Sequence, residues 1–329
     1  MRYNHDTTNL EHDQDHAMEN VAGYRRILIA TDFSPSSEAA LKQAVWIARR
    51  SGAQLVLAHA LPDLLGVVHS ASADAKLDLL YGEGEKFQRE VSKTSLARMR
   101  RMVADLGATD LDIRYETLIG KPYVEIPYAV QQQGYDLVVA GTRGYGPFTR
   151  FFIGSTAKRL IRHCPCSVWV VKAEHVGPPK AVLAATDFSE VSRRAVLQGL
   201  WVAQQVSAEF HLVHVIESLE IPDEVLDKFS EGKAFRQKVA EEARLNFEQF
   251  IESLNVDLAK IQVHQTTATP WEEIGRLAME LNIDLIAIGT IGRSGIRGML
   301  LGNTAEKILE TCDSSILTVK PVDSVSPIS

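Results

Sequence analysis

Residues Arg25–Ala48 read RRILIATDFSPSSEAALKQAVWIA, and residues Lys180–Ala203 read KAVLAATDFSEVSRRAVLQGLWVA. The ATDFS block returns 155 residues later, with Asp187 standing where Asp32 stood. A second pair follows in each copy: YDLVVAGTRGYG from Tyr135 and IDLIAIGTIGRSG from Ile283. Gly141 and Gly289 are 148 residues apart, so the first copy holds seven extra residues between its two blocks. The loop after the second strand, around Leu61 to Glu83, is where they are expected. A repeat of this period makes the chain two copies of one domain.

Each copy alternates short apolar runs with amphipathic stretches. In the first, Ile27–Thr31 reads as a buried strand. Ser34 then offers a helix N-cap with Pro35 at the first helical position, and Gly52 stops the helix. Leu55–Ala60, Asp112–Leu118, Leu137–Ala140 and Val168–Val171 read as strands two to five. Helices are expected at about Glu85–Leu106, from Pro122 to near Gly134, and at Ser155–His163. The second copy repeats the order. Strands fall at Val182–Thr186, Glu209–Val215, Ile261–Thr267, Leu285–Gly289 and Ile316–Val319. Helices start at Ser189, Lys233, Pro270 and Thr304. Strands alternating with helices imply a parallel sheet covered on both faces, so the expected class is α/β with two doubly wound, five-stranded domains. The expected boundaries are a tail at 1–22, a first domain at 23–175, a linker at 176–179, a second domain at 180–322 and a C-terminal tail at 323–329.

Composition limits the function classes. The chain has 329 residues, 45% apolar and 23% charged, as an ordinary globular protein does. Its net charge of -7 argues against a nucleic-acid partner. No apolar run approaches the roughly 20 residues of a membrane span. Residues 1–22 hold five acids and one base, and too few apolar side chains to offset ordering. That places -4 in the tail and -3 in the rest. Three cysteines cannot build a disulfide framework, which fits a cytoplasmic location.

In open parallel sheets, ligands bind beyond the carboxyl ends of the strands. Two segments fall there: Ala30-Thr31-Asp32-Phe33-Ser34 after the first strand, and Gly141-Thr142-Arg143-Gly144 after the fourth. Nine residues later come Gly154-Ser155-Thr156, entering a helix. The spacing G-x2-G-x9-G-S offers backbone N–H groups, two hydroxyls and a helix N-terminus to an anion such as phosphate. Glycine-rich loops also arise for turn reasons alone. Gly289, Gly292 and Gly302 repeat the spacing, followed by Asn303 and Thr304.

ATDFS after the first strand, GTRGYGPFTRFFIGST after the fourth and the closing CSVWVVK strand resemble the universal stress protein family, as a tandem member covering Tyr24 to Pro321. The resemblance implies flavodoxin-like, adenine nucleotide α-hydrolase-like domains. It also implies a stress-response protein binding ATP or another adenine nucleotide in some members and none in others. Carried over, Ala30 and Asp32 line the adenosine end, with Thr31 between them, while Ala140, Gly141 and Thr142 stand at the end of strand four. Arg143 and Arg150 read as solvated surface or, by charge, as extra phosphate partners. Leu55 contacts the adenine, and Gly144, Gly154, Ser155 and Thr156 meet ribose and phosphates. Mg2+ beside the phosphates would look to Asp32. A second site would comprise Ala185, Asp187, Phe210, Ile288, Gly289, Gly292, Gly302, Asn303 and Thr304. There Asn303 replaces the closing serine, and Phe210 could stack on an adenine or fill its space. The first copy is therefore the expected nucleotide site.

Other residues read more plainly. Asp32 and Asp187 suit a local turn better than catalysis. His59 and His214 recur at a strand end, where a structural role competes with a catalytic one. Cys164, Cys166 and Cys312 read as free thiols, and Trp46 and Trp201 as packing. Arg98, Arg100 and Arg101 read as a solvated face. No complete set of nucleophile, base and orienter stands out, so no enzyme is expected, slow ATP hydrolysis aside. The two last strands are edges of their sheets and suit pairing within the chain or in a homodimer.

Overall fold

The structure, a computed structural model, describes residues 23–63, 84–142, 153–174, 177–217, 230–257, 260–292, 301–322 and 324–326. The acidic tail, most of the segment assigned to the seven-residue insertion, and Arg143, Gly144 and Arg150 lie outside the described residues.

The first half runs β1 (Arg26–Ala30), α1 (Pro35–Ser51), β2 (Gln54–Leu61), α2 (Gly84–Asp105), β3 (Ile113–Ile119), α3 (Pro122–Gln133), β4 (Leu137–Gly141), α4 (Ser155–His163) and β5 (Ser167–Val171). The second runs β6 (Ala181–Ala185), α5 (Glu190–Val206), β7 (Glu209–Glu217), α6 (Ser230–Ser253), β8 (Ile261–Ala268), α7 (Pro270–Glu280), β9 (Leu285–Gly289), α8 (Asn303–Thr311) and β10 (Ser315–Val319). The expected elements are all present, with boundaries moved by a few residues at most. Ser34 caps α1 by accepting the Ser37 N–H at 3.3 Å, and Gly52 closes it at φ 71°. Glycine takes that left-handed conformation without a Cβ clash.

Strand order is β3-β2-β1-β4-β5-β10-β9-β6-β7-β8. Each half is a five-stranded parallel sheet, and β5 and β10 join the halves antiparallel, with Trp169 opposite Leu317. These two residues hold equivalent places in the repeat, so a near two-fold axis passes between them. Because each is the edge of its own half, each leaves a row of backbone groups that the other satisfies. Thr318 Oγ1 adds a bond to Val168 O at 3.0 Å. Lys172 and Lys320, also equivalent, each bury an ammonium at the end of a helix in the other half. Lys172 donates to Cys312 O at 3.2 Å and Lys320 to Arg162 O at 3.0 Å. Two apolar layers cover the sheet. One lies under α1, α2, α5 and α6, and the other under α3, α4, α7 and α8.

Candidate functional site

The order of the first half reverses between β1 and β4, so the crevice forms at their carboxyl ends. The backbone there is tightly tied. Asp32 Oδ1 accepts the Ser34 N–H at 3.0 Å, and Asp187 Oδ1 accepts the Ser189 N–H at 3.1 Å. Both aspartates therefore act in the turn, as their T-D-x-S setting suggested. Phe33 and Phe188 follow at φ 64° and 66°, an uncommon conformation for a bulky residue. Sequence reasoning did not foresee it. Thr31 Oγ1 accepts the Phe33 N–H at 3.0 Å and lies 3.0 Å from Ser37 Oγ.

The recurrent histidines complete this turn. His59 Nδ1 donates to Thr31 O at 2.7 Å, and His214 Nδ1 donates to Thr186 O at 2.9 Å. Each ring also packs on the left-handed phenylalanine, at 4.4 Å between His59 and Phe33 and 4.1 Å between His214 and Phe188. They pin the end of β2 or β7 to the loop after β1 or β6, a structural role. Arg98 lies over the Phe33 ring at 4.2 Å and Arg100 over Tyr115 at 5.6 Å. Two of the three arginines read as a solvated face thus pack on aromatic rings.

At the fourth strand, the Thr142 N–H donates to Val171 O at 3.0 Å, while Thr142 O accepts the Gly154 N–H at 2.6 Å. Thr142 so holds both ends of the glycine-rich loop. With the Gly154 N–H used, the anion donors left at α4 are the N–H groups of Ser155, Thr156 and Ala157. They precede the first helical bond, from Lys158 N–H to Gly154 O at 3.1 Å. The second half repeats this, with Gly302 N–H bonded to Thr290 O at 2.7 Å ahead of Asn303 and Thr304. Gly141 and Gly289 owe their place to packing. A Cβ on Gly141 would stand 2.5 Å from Ser36, and one on Gly289 3.1 Å from Val191. A Cβ on Gly292 would meet the Asp187 carboxylate at 2.5 Å.

The structure brings Ala30, Thr31, Asp32, Ala140, Gly141, Thr142, Gly154, Ser155 and Thr156 to one end of the sheet. It does not bring Leu55 there. Leu55 pairs with Ile27 at the amino end of β2, three residues or about 10 Å before Ala58, the partner of Ala30. Its side chain is fully buried in the layer on the opposite face. Phe210 corrects in the same way: it sits at the amino end of β7, buried, with its ring against Gly199. Neither can touch a ligand at the carboxyl end. Ala58, not singled out in the sequence, is the residue of β2 that stands beside Ala30. Ala58, Ala30 and Ala140 stand side by side across β2, β1 and β4, on the face shared with α3 and α4. The corresponding row in the second half is Val213, Ala185 and Ile288. The row is three methyl groups in the first half. The second half carries two larger side chains there.

No group of three or more metal-ligating side chains occurs among the described residues. The cysteines are free, and burial pushes Cys164 up to about 12. Among the described residues no helix is long and apolar enough to cross a membrane. A cavity of about 420 Å³ lies at the junction of the halves, between Tyr24, Arg194, Trp201 and Lys320. It includes none of the residues gathered at the crevice.

Known proteins show the same architecture. A functionally unknown protein from Pseudomonas aeruginosa PAO1 superposes with a TM-score of 0.62 at 19% identity, covering 92% of this chain and 95% of that one. A universal stress protein from Archaeoglobus fulgidus superposes at 0.57 with 20% identity, covering 90% and 98%. Universal stress protein E of Photorhabdus laumondii is 24% identical over 320 residues, 94% of this chain and 98% of its own. The sequence profile of the Universal stress protein family matches residues 23–172 and again 179–320, so the chain belongs to that family as a tandem member.

Proposed function

We propose that the first half binds an adenine nucleotide, ATP or a close relative, and that the second half binds it weakly. The observation that carries this reading is the alanine row at the carboxyl end of the sheet, the end at which α4 begins. Ala58, Ala30 and Ala140 would lie against the base, with Asp32 toward the adenosine. The N–H groups and hydroxyls of Ser155 and Thr156 would meet the phosphates, where the helix dipole favours negative charge. Arg143 and Gly144 belong to the same loop and the same reading. Bound Mg2+ would find one carboxylate in Asp32 and its other ligands in phosphate oxygens and water, which suits its coordination habit. In the second half Val213 and Ile288 stand where the first half has Ala58 and Ala140, which would crowd a base, and Asn303 replaces a hydroxyl. The role that follows is a regulatory stress-response protein whose state depends on nucleotide occupancy.

The test is to purify the full chain without added nucleotide, denature it and identify the released small molecules by mass spectrometry, with ATP titration alongside. An adenine nucleotide at close to one per chain supports the reading. A nucleotide retained by a chain carrying A58V and A140I, or binding that survives only in the first-half variant, refutes the assignment to the first half.

A further inference from the structure

The helices flanking the β5–β10 junction carry opposite charges at equivalent positions. Aligned through the repeat, Lys158 corresponds to Glu306 and Arg162 to Glu310. In the structure they pair crosswise. Lys158 Nζ donates to Glu310 Oε1 at 2.9 Å, and Arg162 Nη2 pairs with Glu306 Oε1. Lys158, Arg162 and Glu306 are partly buried and Glu310 is exposed. Lys158 holds the Glu310 carboxyl below the usual carboxylate range. The remaining cations of these helices turn toward their own halves. Arg159 lies over Tyr123 at 4.1 Å and Lys307 over Trp271 at 5.9 Å.

Two other features of the junction are indifferent to which half meets which, although side-chain bonds such as Tyr24 to Gln198 and Thr318 to Val168 belong to this arrangement alone. The edge strands pair through backbone, and Lys172 and Lys320 both donate to helix-end carbonyls. The same two-fold geometry would serve two first halves or two second halves. In a pair of first halves, however, Lys158 would face Arg162. In a pair of second halves, Glu306 would face Glu310. We infer that this quartet is a pairing code: it fits each half to the opposite half and rejects a second copy of itself. Exposed ion pairs contribute little affinity, but like charges at an interface suppress the wrong partner effectively. Duplication allows this device. Two identical domains on a two-fold axis cannot make one surface basic and its partner acidic, whereas two copies in one chain can.

Full-length chains test it. K158E/R162E makes all four positions acidic, and E306K/E310R makes all four basic. Each should lower the unfolding midpoint by about 2–6 °C. The quadruple swap, with the signs exchanged, should recover it. The recovery separates a pairing role from an effect on α4 or α8 alone, which the swap would not repair. The acidic and basic chains, differently tagged and refolded together, should form a mixed dimer. Native mass spectrometry should find it in clear excess over either self-dimer, and wild-type chains refolded together should show no such excess. A quadruple swap as unstable as the double variants would overturn the inference. So would a statistical mixture in the refolding experiment.

Discussion

Replacing Gly141 by Ala puts a measurable load on the hinge between sheet and crevice. The added Cβ would stand 2.5 Å from the Ser36 carbonyl carbon, 2.6 Å from its Oγ and 2.7 Å from its carbonyl oxygen. Carbon contacts are comfortable at about 3.5–4.0 Å, so β4 and the first turn of α1 must part by about 1 Å. The obstacle is largely backbone, and that turn is fixed by the Ser34 cap and by Thr31 against Ser37. Over-packing of this kind costs about 1–3 kcal/mol. The equivalent change, G289A, is milder. Its nearest neighbours are Val191 Cγ1 at 3.1 Å and the Ser192 nitrogen at 3.3 Å, which need give only slightly. It should cost less than about 1 kcal/mol. Denaturant unfolding of the two full-length variants gives the comparison, provided the transition slopes match the wild type. G141A should also weaken nucleotide binding, because the displaced turn is bonded through Ser37 to Thr31, next to Asp32, whereas G289A should not. The reasoning fails if G289A is as damaging as G141A, or if G141A stays within about 0.5 kcal/mol of wild type.

A140I imports the residue of the second half into the alanine row and should reduce ATP affinity roughly tenfold or more, read by calorimetric titration. Unchanged affinity would remove the base from that row. Burial pushes Lys320 down to about 8, against the usual 10.5. Between these values the unfolded chain binds the extra proton, so stability should rise with pH by up to roughly 3 kcal/mol. Below pH 8 the penalty is fully present. Cys164, pushed up to about 12, acts oppositely above pH 9, so the quantity to compare is the difference between wild type and K320M. His211 and His264 face each other at 3.1 Å, and burial lowers both below the usual 6.5. Facing His211 lowers His264 further, while Glu209 and Glu273 oppose these shifts. As pH falls through 6.5 the unfolded chain takes up protons first, so this contribution is present above 6.5 and lost below it. H211V/H264Q should flatten the loss of stability between pH 6.5 and 5, and an unchanged slope would assign the acid sensitivity elsewhere.

The elements were legible because their signals are local. Ser34, Pro35 and Gly52 mark the start and stop of α1 through the backbone chemistry of helix ends, and the helix runs Pro35–Ser51. Asp32 and Asp187 were readable as turn residues because an Asx bond spans two positions of the same chain. The repeat carried the architecture, since one α/β unit read twice implies two alike. Leu55 and Phe210 were misplaced for the opposite reason. Both come from the resemblance rather than from the strand pattern, and both stand at the start of their strands, which in a parallel sheet puts them at the end away from the carboxyl termini. Register then names the neighbours at the carboxyl end, Ala30 against Ala58 and Ala185 against Val213.

What the sequence determined by itself was therefore the unit: its strands, helices, caps and turns, its duplication, and the end of the sheet on which chemistry would gather. Tertiary structure alone decided what sits side by side there. The alanine row spans three strands separated by whole crossovers. The histidine that ties β2 to the loop after β1 reaches 28 residues along the chain. The charge quartet joins helices from different halves. Local propensity and hydrophobic period act over a few residues, but lateral neighbours in a parallel sheet are chosen by packing across long connections, and no short-range pattern records that choice.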